Sequence, residues 1–212
     1  MTARTRRASL VCSALGLAAA VLAAASNEFI STWKAPAAAR MNFTGRKVAA
    51  VVITDDSNLR VSAEEALARE ISDRGPAGVP AYRIIPREEV TKKDAAKAWF
   101  ARAGVEGLVV LRPVKTDTEK VYSSVVWSSG YYSYAWDYWD YGWASVTPLG
   151  KGRDRITITV ETLLYDLSKG APIWAAAART TDPKDVQSYM KSLAADVARQ
   201  LEKEGLAGKT PR

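Results

Sequence analysis

Apolar and polar positions change rhythm along this chain. "RKVAAVVIT" (Arg46 to Thr54) is a valine-rich apolar run ending in Asp55-Asp56-Ser57-Asn58, the form of a strand buried on both faces. From Asn58 to Arg74, residues Leu59, Ala63, Ala66, Leu67 and Ile71 recur at helical spacing, and Gly75 follows as a stop signal. "PAGVP" reads as a loop and "AYRIIP" (Ala81 to Pro86) as a second strand. "TKKD" at Thr91 is a capping pattern for a helix through Trp99 and Phe100 to Gly104, and "EGLVVLRPV" (Glu106 to Val114) is a third buried strand. Strand, helix, strand, helix, strand at these intervals predicts right-handed crossovers and a parallel sheet.

The second half has a period of two. "EKVYSSVVW" (Glu119 to Trp127) is strand-like; in "DRITITVETLLYDL" (Asp154 to Leu167), Ile156, Ile158, Val160, Thr162 and Leu164 share one face. "SKG" turns the chain and "PIWAAAART" (Pro172 to Thr180) returns. With no helix between them, these segments predict an antiparallel meander. Asp182 as N-cap, Pro183 at N1 and Asp185 in the first turn then open a closing helix. Its apolar face runs from Val186 through Tyr189, Met190, Leu193 and Val197 to Leu201, and Gly205 ends it. The predicted class is α/β: a mixed sheet of about six strands, a parallel first half, an antiparallel second half and a C-terminal amphipathic helix.

The amino terminus carries an address. Arg4, Arg6 and Arg7 precede an uncharged Ala/Leu/Val stretch that ends in Ala23-Ala24-Ala25, the pattern of a secretory signal with cleavage after Ala25. The eighteen residues from Ala8 to Ala25 leave an uncleaved membrane anchor as the alternative. "TRRASL" partly resembles a twin-arginine signal, but an ordinary basic leader has the same look. The organisation expected is signal 1–25, extended lead-in 26–45 that lays Trp33 on the body, one domain 46–205, and a disordered tail 206–212.

The formal charge is +7 over 212 residues. Removing the leader takes three arginines and no acids, leaving 27 basic against 23 acidic residues. That excess is no footprint for nucleic acid, which is excluded as a partner. The only cysteine, Cys12, lies in the leader, and the chain has no histidine. Disulfides, thiolate chemistry, His-based triads and Cys/His metal sites are excluded. No cofactor, metal or catalytic residue is assigned. Asp55 to Asn58 could hold a hard cation at a strand end, but the capping role of Ser57 or Asn58 accounts for them better.

The candidate chemistry lies in "WSSGYYSYAWDYWDYGW" (Trp127 to Trp143), where nine of seventeen residues are Trp or Tyr. Between two antiparallel strands, residues 128–145 read as an aromatic hairpin tip. A loop cannot bury nine rings, because its backbone polar groups would need partners inside. Trp127 and Trp143 could extend the strands as a cross-strand pair with the rest self-packed. A contact surface is the functional reading, since Tyr and Trp with Ser and Gly are typical of binding loops. Its residues are Tyr131, Tyr132, Tyr134, Trp136, Asp137, Tyr138, Trp139, Asp140, Tyr141 and Trp143. The partners considered are an envelope protein, a glycan surface, or peripheral contact with a membrane interface. An enzymatic alternative, a carboxylate-dependent hydrolase of an envelope glycan, would draw on Asp137, Asp140 and Glu161.

Three stretches carry a family likeness: "STWKAP" (Ser31 to Pro36), "VETLLYDLSKGAPIWAAAARTTDP" (Val160 to Pro183) and the capped last helix, with the Tyr/Trp-rich segment between them. Together they resemble a broad group of small bacterial envelope proteins of unknown function, many of them predicted lipoproteins. The resemblance implies an α/β domain with a mixed sheet and supplies no catalytic residues. It also extends, at fold level, to α/β domains of envelope secretion and assembly factors. This chain departs from the lipoprotein pattern: Ser26 follows Ala25, and Ser9-Leu10-Val11 before Cys12 is a poor lipidation signal. The expectation is an unlipidated exported protein, periplasmic or associated with the outer membrane.

Overall fold

The structure, a computed structural model, describes residues 27–115, 122–148, 157–181, 183 and 185–208. The proposed leader therefore lies outside the described residues. Six strands form one sheet: β1 (Glu28–Lys34), β2 (Lys47–Val52), β3 (Ala77–Pro80), β4 (Gly107–Lys115), β5 (Thr157–Asp166) and β6 (Ala171–Thr181), in the order β1-β6-β5-β4-β2-β3. β2 pairs parallel with β3 and β4, while β4-β5, β5-β6 and β6-β1 are antiparallel. The class is α/β with a mixed sheet, as the change from helix-interrupted to period-two segments predicts.

Helices cover both faces. α1 (Ser57–Ser72) and α5 (Val186–Lys203) pack on one face against Val48, Val52, Leu111, Val160 and Trp174. α2 (Lys93–Arg102), the short α3 (Ser124–Trp127) and α4 (Ala135–Ala144) pack on the other, over Val51, Val110, Leu163 and Tyr165. Covered by helices on both faces, β5 is buried from Ile158 to Asp166 and β6 from Pro172 to Ala178. No described helix is long and apolar enough to cross a membrane.

Several expected boundaries move. β3 lies at Ala77–Pro80, and Ala81–Arg83 instead forms a 3-10 turn. Pro80 closes the ladder and Glu64 supplies acceptors beyond it, so "AYRIIP" is no strand. Asp56, not Ser57 or Asn58, caps α1: its Oδ1 accepts from the N–H groups of Asn58 (2.9 Å) and Leu59 (3.0 Å). Lys92 precedes α2 without a side-chain cap, so the expected Thr91 cap is absent. Asp185 is the N-cap of α5 rather than a first-turn acid, accepting from Gln187 (3.1 Å) and Ser188 (3.0 Å). Asp182, the cap expected from sequence, lies outside the described residues.

The lead-in is a strand of the sheet. β1 pairs with β6 from Glu28 to Lys34, and Trp33 packs against the core on the α4 side. At the other end, Leu206 and Ala207 are buried, and Phe43 N donates to Leu206 O at 2.8 Å. Residues 206–208 are thus ordered packing rather than tail, because apolar side chains after Gly205 fold back over the α1–α5 layer.

Candidate functional site

The largest correction concerns the aromatic segment. Tyr122 to Thr147 is no hairpin tip: Ser124–Trp127 and Ala135–Ala144 are helical, joined by a 3-10 turn at Gly130–Ser133. Helices satisfy their own backbone polar groups, which removes the reason a loop could not bury so many rings. Trp127, Tyr132, Trp136, Tyr138 and Trp139 belong to the core. Val125, by contrast, is 71% exposed and Tyr134 38%. The expected exposed contact surface therefore shrinks to the outer side of a helical cap. Trp127 ends α3 and Trp143 lies in the last turn of α4, so they form no cross-strand pair.

Beneath the cap sits a buried polar network. Arg112 of β4 and Glu161 of β5 face each other in the antiparallel register, at 2% and 0% exposure. Glu161 Oε2 accepts from Arg112 Nε (3.2 Å) and Nη2 (2.9 Å) and from the Tyr138 hydroxyl (3.0 Å). Its Oε1 accepts from the hydroxyls of Tyr122 (3.1 Å) and Tyr132 (2.5 Å). One carboxylate thus holds a tyrosine ahead of α3, one in the 3-10 turn and one on α4. Arg112 Nη1 donates to Ser145 Oγ at 2.8 Å, just after α4. A charge this deep is tolerated only when paired and hydrogen-bonded throughout, as here.

The same environment sets the proton affinities. Burial pushes the hydroxyls of Tyr122, Tyr132, Tyr138 and Tyr165 far above the ordinary tyrosine range, and the negative Glu161 adds to the effect. Burial works against the Arg112 charge, but Tyr138 and Glu161 more than compensate and raise its proton affinity.

At the edge of this network, α4 turns a partly exposed side outward. Tyr134 precedes the helix, and Asp137 and Tyr141 follow at i+3 and i+7, on one stripe. Tyr141 stacks on Tyr131, with ring centres 3.6 Å apart and planes 18° from parallel, and lies 4.7 Å from the Arg112 guanidinium carbon. Asp137 is exposed. Asp140 pairs with Lys93 of α2 at 2.6 Å. Trp143 is half-buried against Trp139 and below Arg60.

Of the ten residues singled out by sequence, the structure places Tyr132, Trp136, Tyr138 and Trp139 inside. Tyr131, Tyr134, Asp137, Asp140, Tyr141 and Trp143 remain at least partly exposed. The hydrolase carboxylates are dispersed: Glu161 is enclosed, Asp140 is engaged by Lys93, and Asp137 faces solvent. Sequence reasoning missed Arg112 and Tyr122. The available signal was a lone Arg inside the apolar run "GLVVLRPV" and a lone Glu inside "TVETLL", opposite charges on two strands that each had to be buried. Among the described residues, no cluster of three or more His, Cys, Asp or Glu is placed to hold a metal ion.

No family model matches the chain, and no curated protein sequence matches it. Among solved structures, it is similar to a PelC dodecamer from Paraburkholderia phytofirmans, at 17% identity and TM-score 0.45, covering 85% of this chain and 97% of that one. It is also similar to the lipoprotein GNA1162 from Neisseria meningitidis, at 15% identity and TM-score 0.38, covering 74% of this chain and 99% of that one.

Proposed function

We propose that this protein is a non-catalytic binding or assembly-accessory module of the bacterial envelope. Its contact surface is the outer rim of the aromatic cap: Tyr131, Tyr134, Asp137 and Tyr141. The observation that carries this reading is the half-buried, stacked Tyr131–Tyr141 pair at the edge of the cap, backed by the buried Arg112–Glu161 network. Pre-ordered rings offer contact area at small entropic cost on binding. Flat sugar faces stack on such rings, and Asp137 accepts from sugar hydroxyls, so the rim suits an envelope glycan. The leader pattern supports an exported, unlipidated protein, periplasmic or peripheral to the outer membrane.

A carboxylate-dependent hydrolase has less support, because Glu161 is closed off and saturated with donors while Asp140 is tied to Lys93. Excising residues 129–142 is a poor test, since it removes core rings. The better test compares residues 26–212 with the Tyr131→Ser/Tyr141→Ser variant for retention on peptidoglycan sacculi and on outer-membrane vesicles. Loss of sacculus retention in a folded variant is expected. Equal retention of both forms would remove the rim as a binding surface, and loss confined to vesicles would point to an envelope protein or lipid instead.

A further inference from the structure

On the helical layer opposite the aromatic cap, α1 and α5 flank an open cleft of about 310 Å³. Ser62, Glu65, Ala66, Arg69, Glu70 and Lys191 line it. Its two acids are already engaged. Glu65 pairs with Arg83 at 2.6 Å and accepts from the Tyr82 hydroxyl, and Glu70 pairs with Arg74 at 2.7 Å. Its two cations are not. Glu65 stands four residues before Arg69, the favoured spacing and order for a helical ion pair, yet it turns to Arg83 instead. Lys191 has Gln187 and Ala195 four residues away and Ser188 and Ala194 three away, so α5 offers it no acid at either spacing. Among the described residues, neither the Arg69 guanidinium nor the Lys191 ammonium makes an ion pair or hydrogen bond, and both residues are exposed. Ala66 carries only a methyl group and leaves the cleft unfilled.

We propose that this cleft binds a phosphate monoester, held by Arg69 from α1 and Lys191 from α5. The charge count selects the ligand. Glu65 and Glu70 cancel against Arg83 and Arg74, which leaves two uncompensated positive charges in one cleft. A phosphate monoester carries about −1.5 to −2 near pH 7 and neutralises both, whereas a carboxylate leaves one. The planar fork of a guanidinium meets two phosphate oxygens, and an ammonium supplies a point charge to the third. An uncharged sugar finds no ring to stack on, because no aromatic side chain lines the cleft. The site lies across the sheet from the aromatic rim and does not depend on the reading given to that rim.

The test titrates the chain from residue 26 to 212 with glucose 1-phosphate, glucuronate and glucose, following backbone amide signals by NMR. Glucose 1-phosphate is expected to shift the signals of Ser62 to Glu70 and of Lys191 saturably, and glucose to shift none. Arg69→Gln and Lys191→Gln should each weaken binding about tenfold, the scale of one charge-assisted hydrogen bond. Both side chains are exposed, so circular dichroism should not change. Lys97→Gln removes an exposed cation of α2, on the other face of the sheet, and should leave the affinity as it is. An equal loss in Lys97→Gln would reduce the effect to net charge and overturn the site, as would wild-type affinity in both cleft variants. Glucuronate binding as tightly as glucose 1-phosphate overturns the phosphate assignment. Phosphatidylcholine vesicles containing phosphatidate, also a monoester, separate the sources. Capture on them that needs Arg69 and Lys191, without binding of the soluble sugar phosphate, places the monoester on a lipid headgroup. Binding to neither probe overturns the proposal.

Discussion

Glu161 stands directly opposite Arg112 in the β4–β5 ladder and accepts both its Nε and its Nη2 through a single oxygen, Oε2. That leaves Oε1 for the hydroxyls of Tyr122 and Tyr132, so the ion pair binds the sheet to its aromatic cap. Replacing Glu161 by Gln leaves the Arg112 charge buried without its counter-ion. The expected loss is about 3–5 kcal/mol, the range for breaking one side of a buried pair. Urea unfolding measures it, and loss of near-ultraviolet circular dichroism from the cap rings should accompany it. Arg112→Leu combined with Glu161→Leu should recover part of the stability, because no lone charge remains.

Gly142 lets α4 lie against the sheet. A Cβ there would stand 2.5 Å from Ile53 Cδ1 and 3.4 Å from Arg112 Cδ. Gly142→Ala should destabilise by about 1–3 kcal/mol through overpacking, outweighing the gain in helix propensity. Ile53→Val removes the offending methyl, so the double variant should be more stable than Gly142→Ala alone. Additive losses in the double-mutant cycle would contradict this packing.

The parallel and antiparallel halves were legible in sequence because helical segments separate the parallel strands, whereas a short turn joins β5 to β6. The cap was not. Its rings have high strand propensity and flanking Gly and Ser suggest turns, yet Trp136, Trp139 and Trp143 repeat at three and four residues, a helical interval. Tyr138 and Gly142 extend the same inner stripe. Burial of four of the ten candidate residues follows from that missed period. The Asp185 cap differs for another reason: Asp182, Pro183 and Asp185 all suit a helix start, and local propensity does not rank them. The Arg112–Glu161 pair depends on β4–β5 register, which no local pattern specifies.

Glu64 should make stability depend on pH near neutrality. Burial pushes its carboxyl up to about 7, against the opposing pull of Arg60 and the Tyr82 and Val52 amides. A folded-state value above the unfolded one stabilises the fold fully below the unfolded value, and that contribution is lost as pH rises through the folded value. Between about pH 4.5 and pH 7 the loss is on the order of 3 kcal/mol. Glu64→Gln should flatten this slope in chemical denaturation at a series of pH values. An unchanged slope would assign the dependence to another group.

The buried phenols set a second, alkaline limit. Tyr122, Tyr132, Tyr138 and Tyr165 all hold their protons well above the ordinary value of about 10, chiefly through burial and then through the Glu161 charge. Their folded-state proton affinity exceeds the unfolded one, so their stabilisation is complete below about pH 10 and falls as pH rises beyond it. Four such groups on one cap make the decline steep, since unfolding releases several protons together. Spectrophotometric titration should therefore show these four hydroxyls ionising only with unfolding. Replacing Tyr132 by Phe should move the unfolding limb to higher pH, having removed one of those protons. If all nine tyrosines ionised together, before the circular dichroism changed, the enclosed hydroxyl network would be wrong.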